Sequence, residues 1–451
     1  MTLFGTDGVR GVANAELTPE LAFRIGRAGA SVLARNSERH RPIIVGRDTR
    51  LSGTMLEAAI VAGITSVGRD AVSIGIVPTP AVACVTVAEQ AAAGVMISAS
   101  HNPIADNGIK FFGADGFKLP DAVEEEIEAL VDDPGLPRPT GTGIGVARLA
   151  QNLVRHYYRL LENADADLEG LHVVVDAAFG SAYAIAPYAL RKLGARVTEL
   201  HCENDGSRIN VECGATDLRA LRAHVQGLVA AGERVVGVAF DGDADRALFV
   251  DERGEIVSGD HVLFAIGRHL HERGELAGDA IVGTVMTNIG AERALARHGI
   301  TLLRAPVGDR YVLAMMRSGG YVLGGEQSGH IIDLLRNTTG DGPMTAVLLL
   351  GIAARQGSSL HDLVGEVVVA PQVLVNVRTR RRELLDAPAV RAAIQRVEAA
   401  LNGSGRLLIR PSGTEPLIRI MAEGDDRDKI ERFAAEVARA IGKEIEDLGE
   451  S

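Results

Sequence analysis

The stretch Ser98-Ala-Ser100-His101-Asn-Pro103 sets a hydroxyl at the end of the apolar run Gly94 to Ile97 and closes it with a proline turn. Such a run reads as a buried strand, and His-Asn-Pro breaks it, so Ser100 is expected on an exposed strand-to-loop corner, where loops on rigid scaffolds carry catalytic groups. A nucleophile is one reading; a turn former or helix cap is the other. A second group, Phe240-Asp241-Gly-Asp243-Ala-Asp245-Arg246, follows the apolar Val235 to Ala239. Alternate aspartates on an extended segment point the same way, and Gly242 is expected to let the chain curl so that the carboxylates converge on one hard cation. Mg2+ suits this oxygen count. An EF-hand is the rival: Asp241, Asp243, Asp245 and Glu252 fall at its positions 1, 3, 5 and 12, but Arg246 stands where that loop needs glycine, and strand-like flanks replace its helices. A solvated acidic turn without metal is the other alternative.

Two further segments extend the chemistry. Leu408-Ile-Arg410-Pro-Ser412-Gly413-Thr414-Glu-Pro-Leu-Ile-Arg419 is a loop between short apolar strands. Its backbone N–H groups, hydroxyls and a guanidinium fork suit a phosphate dianion, against the reading of an ordinary proline-bounded turn with solvated arginines. Gly324-Gly-Glu326-Gln-Ser328-Gly-His330 offers Glu326 and Ser328 to neighbouring sugar hydroxyls, against a plain glycine-rich strand-to-strand turn. A serine beside a carboxylate-held Mg2+ fits phosphoryl transfer, which depends on positioning and charge neutralisation. Phosphorylated Ser100 would add an oxygen to the metal. Lys110, His101 and His330 have the right chemistry for the proton, and residue type does not rank them.

Positioning these groups falls to alternating strands and helices: Ile43 to Val45, a helix over Gly53 to Val67, Val72 to Ile74, Gly94 to Ile97, and a helix with Val123, Ile127, Leu130 and Val131 on one face. The pattern continues with a helix near Gln151 to Leu161, a strand over Leu171 to Asp176, a helix over Ser181 to Leu193 and a strand over Val197 to Leu200. Beyond the aspartate strand come Ile281 to Thr284, Leu302-Leu303, Tyr321 to Leu323 and a helix over Met344 to Ala354. The tail reads as strand Val367 to Val377, a helix near Val390 to Leu401, the arginine loop between strands, and a helix over Lys429 to Leu448. The expected organisation is three α/β domains with mixed, mainly parallel sheets, 1–143, 144–252 and 253–366, and a smaller α+β domain, 367–451. One motif falls in each, so a common site requires a central cleft.

At 451 residues and 46% hydrophobic, the chain is long enough for several cores. A net charge of −12, from 47 basic and 59 acidic residues, with no long Lys/Arg run, argues against nucleic acid. Cys84, Cys202 and Cys213 lack a metal-type spacing, which fits a reducing cytoplasm. Neither a signal peptide nor a membrane span is expected.

Together the four motifs, with the opening Phe4-Gly-Thr-Asp-Gly-Val-Arg10-Gly11, resemble the α-D-phosphohexomutase family over essentially the whole chain. The opening and the glutamine of Gly325-Glu-Gln-Ser-Gly-His330 look like the branch acting on glucosamine 6-phosphate and glucosamine 1-phosphate; phosphomannomutase/phosphoglucomutase activity is the alternative, and a non-catalytic sugar-phosphate-binding protein a further one. The resemblance implies a heart-shaped, four-domain enzyme working through a 1,6-bisphosphate, feeding UDP-N-acetylglucosamine synthesis. It implies phosphorylation of Ser100, Mg2+ on Asp241, Asp243, Asp245 and the Ser100 phosphate, and glucosamine or glucose 1,6-bisphosphate as activator. Arg10 and Lys110 would lie near the transferring phosphate; Glu326 and Ser328 would read sugar hydroxyls. Arg410 with Ser412, Gly413 and Thr414 would grip the distal phosphate. Gly308-Asp-Arg310 replaces a histidine common in the sister branch, which casts doubt on copying acid/base roles. A homodimer is a family expectation; because the bisphosphate must turn over to present either phosphate to Ser100, the chain beyond about Ala370 is expected to hinge.

Overall fold

Four sheets organise the chain in the computed structural model, which describes residues 3–5, 7–38, 41–411 and 416–447. The first has six strands in the order Val9–Val12, Asp106–Gly113, Ala93–Ile97, Ile43–Arg47, Ala71–Ile76, Ala147–Leu149. Every residue of Ala93–Ile97 is buried, as an uninterrupted apolar run in a central strand must be. It pairs in parallel with Ile43–Arg47 and antiparallel with Asp106–Gly113, placing Met96 opposite Lys110. The helices Pro19–Leu33, capped by Thr18, and Gly53–Ser66 cover one core with Phe111 and Ile127.

The second sheet runs Ile256–Val257, Ala247–Val250, Val235–Phe240, His172–Asp176, Arg196–Leu200, and its central strand Val235–Phe240 is wholly buried. The third runs Thr301–Ala305, Ala280–Thr284, Leu323–Gly325, Ile331–Asp333. All three mix parallel and antiparallel pairs. The last sheet, Gln372–Arg378, Leu417–Gly424, Gly405–Pro411, is antiparallel throughout and packs on Pro388–Leu401 and Arg427–Asp447, an α+β arrangement. The fold class read from the sequence therefore holds.

The described chain forms two compact units, Met1–Thr284 with Ile300–Gly365, and Val285–Gly299 with Glu366–Ser451. In the second unit Arg406 lies between the buried Glu423 carboxylate (2.5 Å) and the carbonyls of Val285 (2.6 Å) and Thr287 (2.7 Å). Asn288 brackets Ala370 through both backbone groups, which ties the helix Ile289–Arg297 to this unit.

Three elements depart from the sequence reading. The helix expected from Ser181 starts at Ile185, because the Ser181 N–H donates to the Gly242 carbonyl instead. Tyr321 and Val322 precede the strand, which is Leu323–Gly325. Val368 and Val369 stay outside the sheet and are 75% and 51% exposed, the strand beginning at Gln372. Helix Thr79–Ala88, whose apolar run spans both faces, and helix Asp309–Gly319 were not read from the sequence.

Candidate active site

Ser100 follows strand Ala93–Ile97 at φ 51°, a left-handed conformation, and is only 2% exposed. The exposed corner expected from the sequence is thus a cleft floor, because other loops pack around it. Its N–H donates to Ser98 Oγ (2.9 Å), which donates to Asp48 (2.6 Å). Its Oγ donates to Asp241 Oδ2 (2.6 Å) and lies 3.2 Å from His101 Nδ1. Beneath it the fully buried Arg50 donates to the carbonyls of Ser100 (3.0 Å), Asn102 (2.8 Å), Pro103 (2.6 Å) and Asp106 (2.9 Å), with Asp48 balancing its charge. Asn210 adds a further bond to the Ser100 carbonyl (2.8 Å). One rigid guanidinium fork thereby fixes the whole loop.

Asp241, Asp243 and Asp245 end the buried strand Val235–Phe240, their side-chain oxygens within 4.8 Å of one another and all three residues buried. The curl comes from Ala244 at φ 54°, not from Gly242. Gly242 serves close approach instead: a Cβ there would lie 2.6 Å from the Ser100 carbonyl and 2.9 Å from Asn210 Nδ2. Burial, then the neighbouring Asp245 and Asp243 charges, pushes the Asp241 carboxyl well above the ordinary range. Burial also acts on Asp243, yet Lys110 and Thr79 hold it below that range. Asp243 Oδ2 accepts from Thr79 (2.6 Å) and Lys110 (2.9 Å), while Asp243 Oδ1 and Asp245 Oδ1 are buried without hydrogen-bond donors. An oxygen-only set with orphaned oxygens and mutual repulsion fits a hard cation. The strand-flanked loop also rules out the EF-hand alternative.

Lys110 reaches Asp243, Asp7 (3.0 Å) and Asp245 (3.8 Å). Against its burial, these carboxylates raise its pKa and keep it an ammonium. Lys118 bonds Asp7 (2.6 Å) and Asp309, and Arg10 bonds Asp7 and Asn102 (3.0 Å). His101 is pushed down to about 4 by burial and by the Arg246 and Arg10 cations.

Beside these groups opens one cleft of ≈ 1270 Å³, counted to its open mouth, lined among others by Arg10, Ser100, His101, Asp245, Arg246, Asp309, Glu326 and His330. Glu326 and His330 belong to the tight hairpin joining Leu323–Gly325 to Ile331–Asp333. Glu326 Oε1 accepts from the Gly308 N–H (3.0 Å), made possible by Gly308 at φ 126°. His330 Nε2 lies 3.5 Å from Asp309 and 3.7 Å from Asp245. Ser328, in the same hairpin, is half-buried and is not among the lining residues.

In the second unit Arg410 and Arg419 are directly opposed across the antiparallel pair Gly405–Pro411 and Leu417–Gly424, so both lie on one face of that sheet. Ser412, Gly413 and Thr414 lie outside the described residues.

Reading the sequence missed Arg50, Asp48, Thr79 and Asn210; Lys118 was expected among the local positive charges, and Asp7 and Asp309 lie in quoted segments without a role being assigned to them. Burial of charge without an adjacent motif leaves no local signal; only the Arg47-Asp-Thr-Arg50 cluster after an apolar strand hints at it.

The chain is similar to known proteins over almost its whole length. Models of the phosphoglucomutase/phosphomannomutase family match as alpha/beta/alpha domains I (1–136), II (154–254) and III (258–369) and as the C-terminal domain (374–440). Phosphoglucosamine mutase of Thermoanaerobacter sp. is 49% identical over 98% of this chain and 99% of its own. That of Moorella thermoacetica is 52% identical over 97% and 98%. The chain belongs to the phosphohexomutase family, in its phosphoglucosamine mutase branch. Enzymes of this branch are intramolecular phosphotransferases of the isomerase class, and this chain is one of them. Among solved structures, a phosphoglucomutase/phosphomannomutase family protein from Burkholderia thailandensis superposes with a TM-score of 0.84, at 25% identity, covering 100% of this chain and 98% of that one. Aspergillus fumigatus N-acetylphosphoglucosamine mutase, in complex with GlcNAc-6P and magnesium, shares the fold at a TM-score of 0.67 and 18% identity, over 97% and 95%. Among the described residues, no helix is long and apolar enough to cross a membrane.

Proposed function

We propose that the protein interconverts glucosamine 6-phosphate and glucosamine 1-phosphate through phosphorylated Ser100 and glucosamine 1,6-bisphosphate. The observation that carries this reading is the Ser100 hydroxyl, 2.6 Å from one of three converging carboxylates at the floor of a cleft lined by cations and Glu326.

In one half-reaction the sugar's 1-hydroxyl oxygen attacks the phosphorus on Ser100. The P–Oγ bond breaks, a P–O1 bond forms and the hydroxyl proton leaves to a base. In the other, Ser100 Oγ attacks the 6-phosphoryl group and O6 recovers a proton. Mg2+ held by Asp241, Asp243, Asp245 and a phosphate oxygen on Ser100 would neutralise charge on the transferring group. Arg50 and Asn210 hold the nucleophile's loop against recoil. His101, with Nδ1 3.2 Å from Oγ, is placed to handle the proton there, while Lys110 and Arg10 offset phosphate charge. Glu326 takes the sugar hydroxyls, with Ser328 and His330 from the same hairpin. A phosphate-binding role for Arg410, Arg419, Ser412, Gly413 and Thr414 belongs to the same proposal. Glucosamine or glucose 1,6-bisphosphate primes Ser100. Domains divided near 143, 252 and 366, a cytoplasmic location and a homodimer belong to the same proposal.

Initial rates test it, with protein primed by glucose 1,6-bisphosphate in Mg2+ and offered glucosamine, glucose and mannose 6-phosphates. Preference for the amino sugar by about 1–3 kcal/mol in specificity is expected if one hydrogen-bonded substituent decides the choice. Preference for glucose or mannose phosphate would move the protein to the sister activity, and no turnover of any would leave only binding.

A further inference from the structure

Behind the aspartate loop, three side chains of different chemistry meet. Asp176 ends strand His172–Asp176, and His201 follows its parallel neighbour Arg196–Leu200, the two strands being in register at Asp176 and Leu200. Cys213 opens the turn before Gly214. A carboxylate oxygen, a ring nitrogen and a thiol sulfur of these residues all lie within 4.8 Å of one another. Asp176 and Cys213 are fully buried, while His201 is about a quarter exposed.

His201 Nδ1 is buried and pairs with Asp176 Oδ1 at 3.1 Å, so a cation in this corner would take the place of the ring proton. The Asp176 carboxylate is held in place from behind, Oδ1 by the Ala178 N–H (2.9 Å) and Oδ2 by the Gly214 N–H (3.0 Å). Backbone donors on the far lone pairs orient a ligand carboxylate in this way. Cys202, although adjacent to His201, points its thiol at the carbonyls of Val175 (3.4 Å) and Leu200 (3.2 Å). The sulfur of this corner is therefore that of Cys213.

We propose that Asp176, His201 and Cys213 form a second cation site, for a borderline metal of the Zn2+ class, separate from the cage of Asp241, Asp243 and Asp245. Mixed nitrogen, oxygen and sulfur donors select such a metal over Mg2+, and three protein ligands leave a fourth position for water at the exposed edge of His201. Binding releases the Cys213 thiol proton to solvent. The site does not depend on the catalytic reading, but its position gives it a consequence for the neighbouring loop. The turn that follows Asp176 supports the aspartate loop: the Ser181 N–H donates to the Gly242 carbonyl (2.8 Å), and a Cβ on Gly180 would come within 2.5 Å of that oxygen. Gly214 packs equally closely, 2.4 Å from a built Cβ to the Phe240 carbonyl. A metal here would stiffen the platform on which Asp241 and Gly242 rest.

The test uses the full-length protein, stripped of metal, kept reduced, and titrated with Co2+ in excess Mg2+. A single equivalent should bind with the thiolate-to-cobalt charge-transfer absorption and the intense visible bands of tetrahedral Co2+, and Zn2+ should displace it. Cys213→Ser should abolish the charge-transfer band, and His201→Gln should weaken Co2+ binding by more than ~10-fold. Asp243→Asn, in the other cage, should leave the spectrum intact. Circular dichroism confirms that each variant is folded. No thiolate band in the unaltered protein, or the same band and affinity in folded Cys213→Ser and His201→Gln, would overturn the proposal. So would a spectrum that disappears in Asp243→Asn.

Discussion

At the scale of single residues the site rests on the Ser100 hydroxyl and its acidic neighbours. Ser100→Ala removes the protein atom that carries phosphate in the proposed cycle. Turnover should fall by more than ~10³-fold. The melting temperature should scarcely move, since the Oγ bond to Asp241 is one contact among many that brace the loop. Coupled-assay rates and a thermal melt check both, and normal turnover would end the phosphoserine reading. Asp243→Asn deletes one negative charge from the cage while its remaining oxygen can still accept from Thr79 and Lys110. Mg2+ affinity and turnover should drop together, the affinity by ~10–100-fold. Calorimetric titration with unchanged affinity would take Asp243 out of the cage.

Whole elements carry the geometry. The loop from Ser100 to Asp106 has a few bonds of its own, such as the Asp106 N–H to the Pro103 carbonyl (3.1 Å) and Asn102 Nδ2 to Asp106 (3.0 Å), and Arg50 supplies four donor contacts from below. Arg50→Lys retains the charge facing Asp48 but loses the fork, so the loop loses its register. The expected result is a kcat lowered by ~10²-fold, the cost of roughly 1 Å of misplacement, with Mg2+ binding little changed. Equal kcat in the folded variant would show that the loop is fixed by other means. A second element, helix Gly342–Gln356, is capped by Asp341, whose carboxylate also accepts from Tyr157 (2.6 Å) and Asn337 (2.8 Å). Burial outweighs these bonds and raises the carboxyl to about 6. The folded protein thus keeps a proton that the unfolded chain gives up at lower pH. Its contribution to stability therefore falls as pH rises from roughly 4 to 6, by about 2–3 kcal/mol in all, and stays lost above that window. Asp341→Asn should flatten this segment of the stability-against-pH curve while keeping an acceptor for the Met344 N–H. Identical curves for the two proteins would refute the assignment.

For the whole molecule, each compact unit has a core of its own: Ile25, Ile60, Val95 and Phe111 among others in one, Val397, Ile420, Val437 and Ile441 in the other. In the second, the buried Glu423 carboxylate joins Arg406 to the Ile289 N–H (3.0 Å) and so gathers chain distant in sequence. Glu423→Ala removes the buried carboxylate that accepts from both Arg406 and the Ile289 N–H and should destabilise this unit by about 3–5 kcal/mol. Scanning calorimetry should show a low-temperature transition split away from the main one, with the Ser100 unit still folded. A uniform shift of a single transition would mean that the units unfold as one.

How much was legible follows from where the information lies along the chain. Contiguous motifs were readable because a few neighbouring residues carry their chemistry: the serine after an apolar strand, three aspartates at alternate positions, the glycine-rich hairpin with Glu326 and His330. Continuous apolar runs such as Ala93–Ile97 and Val235–Phe240 announced central strands, since strands covered on both faces need no polar alternation. The burial of Ser100, the bend at Ala244 and the bracing role of Arg50 were not readable. Arg50 is fifty positions before Ser100 and Asn210 more than a hundred after it, and their bonds exist only once separate strands align. Charge behaves likewise. Composition reported an acidic chain, but whether a given carboxylate is lifted, as at Asp241, or lowered, as at Asp243, depends on desolvation and on neighbours within a few ångströms. Those neighbours are set by packing, a property of the folded chain and not of any one segment of it.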